Sequence, residues 1–402
     1  MSQPVAIITA IGTYLPTWGN STRRLSGHDE DAVTMAVAAG LAALDNVHPT
    51  QVRCVIFVTR NFPLLEGGNS AALLAGLGLS NSTMIREVVG GAPVVLDSIT
   101  SAEAGTLIIG SEPGDPAAAS AIFVGTEGAA LVALERITRS MPVTTRDSFG
   151  NTSDYSDARL LRVSGLGVSL ESIGSPIPVA TAGLDARDSA AICGRSTITL
   201  PTTGAASVGF LLAALISDNT TGTVLAAEQA TLSLAELQVG AVRITRDEPS
   251  AQPLPNSKQA PGSSVSISLS AYDRAFEFKL RLEAAACSAC GSLSYPRRRR
   301  CINCGSEEPT TNTALPRDGE IYSMATIRVP VPGLIGPYTV VIVDLGDSGV
   351  RTMVRLTAAP PGSVKIGDKG RLALRLVAVR MGVPDYGYGF IPESATHLTE
   401  AL

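Results

Sequence analysis

Along residues 1 to about 245, short β-branched apolar runs alternate with Ala/Leu-rich stretches of helical character. Residues 5–11 and 53–59 have the length and composition of strands. Between them, Asp29-Glu30-Asp31 precedes the Ala/Leu-rich run 32–44. Acidic residues in a first turn suit the positive end of a helix dipole, and the run itself has high helical propensity. The pattern further predicts a strand over 94–98, a helix over 101–110 and a strand over 121–125. A second set follows: the apolar run 166–173, a helix over 205–216 and a strand over 223–227. Two βα sets of such similar grammar point, on a loose match, to an internal duplication. The fold class expected is α/β with a mostly buried sheet.

The pattern then changes. Residues 246–264 (RDEPSAQPLPNSKQAPGSS) are rich in Pro, Ser and polar residues without periodicity, which is linker composition. A helix expected over 271–286 leads into a cysteine cluster. Behind it, β-type runs at 320–331, 338–345, 350–356 and 370–380 are punctuated by Pro and Gly. Short strands of this kind predict an all-β barrel of the OB type. The expected organisation is a first domain over 1–245, a linker over 246–264, a helix and ribbon over 265–312, and a barrel with tail over 313–402.

Composition narrows the function classes. The chain has 402 residues, 45% hydrophobic and 17% charged, enough for two or more domains with their own cores. Its longest strongly apolar run, residues 209–216, falls far short of the ~20 residues of a membrane span. The opening MSQPVAIITAIG lacks the basic n-region of a signal peptide and predicts a strand. A cytoplasmic location is therefore expected, in which paired cysteines are metal ligands before they are disulfides. A formal charge of −5 gives no global attraction to nucleic acid or anionic membrane.

Cys287, Cys290, Cys301 and Cys304 form the pattern C-x2-C-x10-C-x2-C. Each C-x-x-C makes a tight knuckle aiming two sulfurs at one centre, and two knuckles complete a tetrahedron with Zn–S distances of ~2.3 Å. Gly291 and Gly305 follow each pair, where the knuckle favours positive φ. Four thiolates leave no position for water, so the metal is structural. Zinc is expected, while S4 geometry also suits iron. The neighbouring Arg297, Arg298, Arg299 and Arg300 have three readings: a solvated face offsetting the cluster's charge, a grip on the phosphates of a coenzyme A thioester, or a nucleic-acid contact. Cys54 in a strand is a small buried hydrophobe, and Cys193 has no neighbouring His.

The segments CSACGSLSYPRRRRCINCGS, GEIYSMATIRVPVPGLIGPYTVVIVDL, VRTMVRL and KIGDKGRL resemble the rubredoxin-type zinc ribbon and OB-fold family that occurs with thiolases and acyl-CoA enzymes. The resemblance spans residues 287–390. It implies a ribbon and barrel that accompany a thiolase-type partner or domain and shape its substrate channel. The first 245 residues resemble the thiolase superfamily, nearest to bacterial and archaeal hydroxymethylglutaryl-CoA synthases. That likeness rests on ITAIGTYLP, residues 27–36 (GHDEDAVTMA), Ser101-Ala-Glu-Ala-Gly-Thr106 and Thr202-Thr-Gly-Ala-Ala-Ser207, and is weakest over 126–200.

The chemistry implied by that superfamily needs an activated cysteine at a helix N-terminus, with His or Asn groups to move protons and hold an oxyanion. The resemblance places Ala102 at the nucleophile position, with Ser101 one residue off, and Thr202 at the catalytic Asn position. The chain has three histidines, His28, His48 and His397, and none between residues 49 and 396. The second strand runs into Val58-Thr59-Arg60-Asn61, without the acid that the synthases carry there. Asp147, Asp154, Asp157 and Tyr155 read as a polar surface loop, and Glu127 as a turn residue.

The expectation is a degenerate thiolase fold without catalytic residues of its own. Such a chain would scaffold a thiolase-type acyl-CoA system, as a homodimer or bound to a catalytic thiolase or synthase subunit. The alternatives are an enzyme acting on an acyl-CoA thioester without a covalent acyl-cysteine, by acyl transfer or retro-aldol cleavage, and a nucleic-acid-binding ribbon and barrel.

Overall fold

The structure is a computed structural model that describes residues 5–147, 151–174, 177–193, 202–259, 268–329, 334–380 and 382–395. Contacts divide the chain into two compact units. The first comprises Met1–Leu15, Ala39–Phe62 and Ser82–Asp247, the second Pro16–Ala38, Pro63–Asn81 and Glu248–Leu402. Two stretches of the α/β region, 16–38 and 63–81, thus pack with the C-terminal residues.

One ten-stranded mixed sheet organises the first unit. From edge to edge it runs Ala180–Ala182, Gly222–Glu228, Thr231–Gln238, Ala129–Ile137, Val5–Tyr14, Ala118–Val124, Thr106–Glu112, Cys54–Thr59 and Met84–Val89. Arg243–Asp247 joins Val5–Tyr14 in parallel. Ala118–Val124 is buried throughout and Thr106–Glu112 nearly so, as strands covered on both faces must be. The helices Ala92–Thr100 and Ser207–Ser217 pack Val95, Leu96, Ile99, Leu211 and Leu212 against Ile56, Val58, Ile108 and Ile122. Each such side chain contributes about 1.5–3 kcal/mol by burial. Gly209 permits the close approach: a Cβ there would lie 2.4 Å from Ser120, whose hydroxyl donates to the Ala206 carbonyl at 2.8 Å.

Three sequence expectations are corrected in this unit. The strand expected over 94–98 lies inside the helix Ala92–Thr100. Pro93 suits its first turn, and Val95, Leu96 and Ile99 share one buried face, so packing at helical spacing overrides β-branched content. The helix expected over 101–110 is instead a short turn and the strand Thr106–Glu112, whose unbroken apolar run carries no period-2 signal. The run 166–173, read as a strand, lies mostly in the helical stretch from Ala158 to Glu171. There Leu166, Leu170 and Ile173 face Leu225, Leu232 and Leu234 at helical spacing.

The second unit holds a ribbon and a barrel. Ser268 caps the helix Leu269–Arg281 by accepting from the Ala271 N–H, and Leu282 ends it at φ 54°. The expected helix over 271–286 therefore stops early. Residues 283–287 pair as a strand with Leu293–Ser294 and Thr310–Ala314, and this pairing outweighs the helical propensity of three alanines. A closed barrel follows, in the order Asp318–Ile327, Tyr338–Leu345, Arg351–Leu356, Val383–Pro392, Lys369–Arg380. Strict alternation along Tyr338–Leu345 buries Val341, Val343 and Leu345.

Residues 16–38 are fastened to this barrel through Arg375, which is 3% exposed. Its guanidinium donates to Thr357 Oγ1 at 3.0 Å and lies 3.5 Å from Glu30 and 3.8 Å from Asp29. Tyr386 donates to Asp31 Oδ2 at 2.7 Å, while Asp31 Oδ1 accepts from the Thr34 N–H at 2.9 Å in the first turn of the helix Ala32–Ala43. The stretch 246–264 is likewise not a free linker where it is described. Arg243–Asp247 completes the sheet, Gln252 bridges to Trp18, and Lys258–Gln259 pairs with Ile335–Gly336.

Candidate functional site

Cys287 ends the central ribbon strand, and the other three cysteines sit in the knuckle loops. The two knuckles repeat one hydrogen-bond pattern. Gly291 N–H donates to the Cys287 carbonyl at 2.7 Å and Gly305 N–H to the Cys301 carbonyl at 3.0 Å. Gly291 and Gly305 have φ of 71° and 75°, as the spacing predicts. Cys287 Sγ lies 3.8 Å from Cys304 Sγ and Cys290 Sγ 3.7 Å from Cys301 Sγ, and all four sulfurs fall within 4.8 Å of one another. A tetrahedron with Zn–S bonds of ~2.3 Å has edges of ~3.8 Å, so the donor set fits the ion.

Electrostatics agrees with that fit. The knuckle amides of Cys304 and Asn303 pull the Cys301 thiol down to about 6. Cys304, despite the Ser306 amide that favours its thiolate, is pushed up to about 11 by the Cys290 sulfur, by burial and by the sulfurs of Cys301 and Cys287. Four adjacent thiols cannot all ionise unaided, and a divalent cation removes the conflict. Thr310, paired across the strands with Cys287, buries an Oγ1 that has no hydrogen-bond partner. This is a structural zinc centre: bound there, the ion closes the ribbon and supplies folding free energy. It is the single cluster of His, Cys, Asp or Glu with metal-binding geometry among the described residues.

The four arginines diverge. Arg297 stacks on Phe278 at 5.5 Å, Arg299 faces Glu307 at 3.9 Å, and Arg300 donates to the Gly305 carbonyl at 2.8 Å. Two of them thus brace the ribbon itself.

The thiolase-type positions scatter in the same way. Ala102 was expected to open a helix, but it follows the C-terminus of Ala92–Thr100, its N–H bonded to the Ile99 carbonyl. The Ser-Ala-Glu-Ala-Gly-Thr segment is a helix exit, with Gly105 at φ 91°, so no helix dipole favours a nucleophile at 102. Ser101 caps that exit by donating to the Asp97 carbonyl at 2.7 Å. Thr202 is buried ahead of the helix Ser207–Ser217. His28 contacts Ser257 Oγ at 2.8 Å, His48 caps a 3-10 turn, and His397 lies outside the described residues. Asp147, Asp154 and Asp157 each accept a local backbone N–H, Tyr155 is exposed, and Glu127 sits in an exposed turn.

Sequence reasoning missed a different constellation. Arg60, Asn61, Glu112 and Glu228 stand at the carboxyl ends of Cys54–Thr59, Thr106–Glu112 and Gly222–Glu228. Arg60 pairs with Glu228. Glu112 accepts from Asn61 Nδ2 and from the Ala205 N–H, both at 3.3 Å. Burial raises the Glu112 pKa and lowers that of Arg60. The Glu228 carboxylate fills the space a side chain at Gly91 would need, beside the start of Ala92–Thr100. The available signal was an acid closing each of two apolar strands, Gly-Ser-Glu112 and Ala-Ala-Glu228.

No helix among the described residues is long and apolar enough to cross a membrane. Comparison with known proteins bears on the ribbon and barrel. Residues 279–310 match the model of the ChsH2 rubredoxin-like zinc ribbon domain, and residues 312–375 that of the ChsH2 C-terminal OB-fold domain. A DUF35 domain-containing scaffold protein of Methanothermobacter thermautotrophicus is 29% identical over 120 residues, 29% of this chain and 90% of that protein. The benzoylsuccinyl-CoA thiolase subunit BbsA of Thauera aromatica is 32% identical over 110 residues, 27% of this chain and 74% of that subunit. Among solved structures, a variant of Xanthomonas campestris OleA overlays 58% of this chain and 98% of its own, at 16% identity and a TM-score of 0.49. A 3-oxoacyl-[acyl-carrier-protein] synthase III of Aquifex aeolicus covers 58% and 99%, at 16% identity and a TM-score of 0.46. Through residues 279–375 the chain belongs to the family of ChsH2-type zinc ribbon and OB-fold proteins.

Proposed function

We propose that this chain is a non-catalytic scaffolding and substrate-channel component of a thiolase-type acyl-CoA C-acyltransferase or synthase complex. The observation that carries the reading is the family membership of its ribbon and barrel, shared with a scaffold protein and a thiolase subunit. The first unit is the thiolase-like part on this reading, a view that rests on sequence resemblance. It presents an edge strand, Met84–Val89, paired on one side with Cys54–Thr59 and carrying Met84 and Val89 at 57% and 71% exposure. An edge strand with one unpaired side can pair with another chain, which supports an oligomer, either with itself or with a catalytic subunit. On this reading the bond-making chemistry belongs to the catalytic partner.

The experiment is affinity purification from the native host, followed by assay of the purified chain alone and of the complex. A stoichiometric thiolase or synthase subunit is expected, with acyl-CoA condensation or thiolysis in the complex only. Turnover by the isolated chain at the rate of ordinary thiolases overturns the proposal.

A second reading has one observation in its favour. Glu112, its pKa raised by burial, stands near Arg60 at the strand ends. That pairing supports acid–base chemistry on a thioester without an acyl-cysteine. Turnover that Glu112→Gln abolishes would favour this reading over the first.

A further inference from the structure

We infer that the barrel carries a binding site for an apolar molecule with an oxyanion head, in which Arg355 holds the head. Two cavities of about 370 Å³ and 130 Å³ lie in the second unit and share Asp29, Tyr338 and Arg355 in their walls. The larger falls within the roughly 300–1,000 Å³ of small-molecule sites. Its walls are mainly apolar, with Leu282, Tyr295, Val340, Met353 and Val354 prominent.

The charges around the larger cavity are matched with one exception. Lys279 pairs with Asp385 at 2.7 Å, and Arg375 is held between Glu30 and Asp29. Arg355 is half-buried, with its guanidinium 4.8 Å from the Tyr338 ring centroid. Among the described residues no carboxylate lies within ion-pair distance of it. A guanidinium at the junction of two cavities, fixed by stacking and short of an anion, fits a carboxylate or phosphate through two parallel hydrogen bonds. The apolar walls take the body of the same molecule. A distal carboxylate on an acyl group and a phosphate ester both offer this chemistry. The site belongs to the barrel unit alone and stands whether or not the scaffolding role does.

The chain's single tryptophan, Trp18, lines the smaller cavity at 6% exposure and supplies an optical reporter. The test is titration of the zinc-loaded full chain with decanoate, decanol and decyl phosphate, followed by calorimetry and Trp18 emission. Decanoate or decyl phosphate should bind at least about tenfold tighter than decanol. The tighter of the two anions identifies a carboxylate or a phosphate as the natural head. Arg355→Gln should erase the preference over decanol, while Arg355→Lys, which keeps the charge but not the two-pronged geometry, should weaken it. Val340→Phe should block all three ligands by filling the larger cavity. Zinc content and circular dichroism check that each variant is folded. Absence of binding, equal affinity for decanol and the anions, or an unchanged preference in Arg355→Gln overturns the inference.

Discussion

Replacing Arg375 with Met tests how residues 16–38 are held on the barrel. Arg375 and Glu30 have side chains only 3% and 4% exposed, whereas Asp29 is 35% exposed. Removing the guanidinium lets Asp29 return to water but takes the Arg375 cation away from the buried Glu30, to which Gly27 N–H still donates at 2.7 Å. Breaking a buried pair from one side costs about 3–5 kcal/mol, and the surviving amide bond places this variant near the lower end, about 3 kcal/mol. With a urea slope of about 1–3 kcal/mol/M, the unfolding midpoint should fall by about 1–3 M. Trp18 reports the transition, because it lies in the same unit at 6% exposure. Adding Glu30→Gln removes the stranded charge and should restore about 1–2 kcal/mol, a coupling measured by the double-mutant cycle. A midpoint within about 0.3 M of wild type, or a second substitution that only adds to the loss, would refute the buried-pair argument.

Removing zinc with a strong chelator, or Cys301→Ser, should release one equivalent of metal per chain by elemental analysis. Amide exchange should then rise over 283–314 while the sheet of the first unit stays protected. Burial raises the Glu112 pKa above its ordinary carboxylate value of about 4.5. Its contribution to stability is therefore fully present below about that pH and is lost as pH rises through the folded value. The stability of wild type relative to Glu112→Gln should accordingly decline from pH 4 upward, measured by urea titration at several pH values, and a flat difference would contradict the assignment. Tyr386→Phe takes a hydrogen bond from the buried Asp31 carboxylate and should cost about 1–3 kcal/mol in the same assay.

The ribbon was legible because its chemistry is local: four sulfurs and two positive-φ glycines lie within 19 residues of chain, and the knuckle geometry follows from spacing. The barrel was legible through alternation, as along Tyr338–Leu345, where one face is buried. The central sheet strands were harder. Thr106–Glu112 is covered on both faces, so its run of apolar residues has no period to separate strand from helix. The attachment of 16–38 to the barrel was invisible, since Arg375 and Glu30 stand 345 residues apart and only tertiary packing brings them together.

The strand-end charges bear on where a nucleophile could stand in this unit. A thiolate needs the unmet positive potential of a helix N-terminus. In this unit, Glu112 already accepts from the Ala205 N–H at the approach to Ser207–Ser217. Glu228 occupies the space beside Gly91 at the start of Ala92–Thr100, and Arg60 balances its charge. Both helix starts are thus answered by carboxylates from the sheet itself. A cysteine introduced at Gly91 would meet Glu228 within 2.3 Å of its Cβ, and the nearby negative charge would raise the thiol's pKa. A cysteine thiolate at position 91 therefore requires replacing Glu228 as well as adding sulfur, so two elements, the strand Gly222–Glu228 and the helix start, decide that site together.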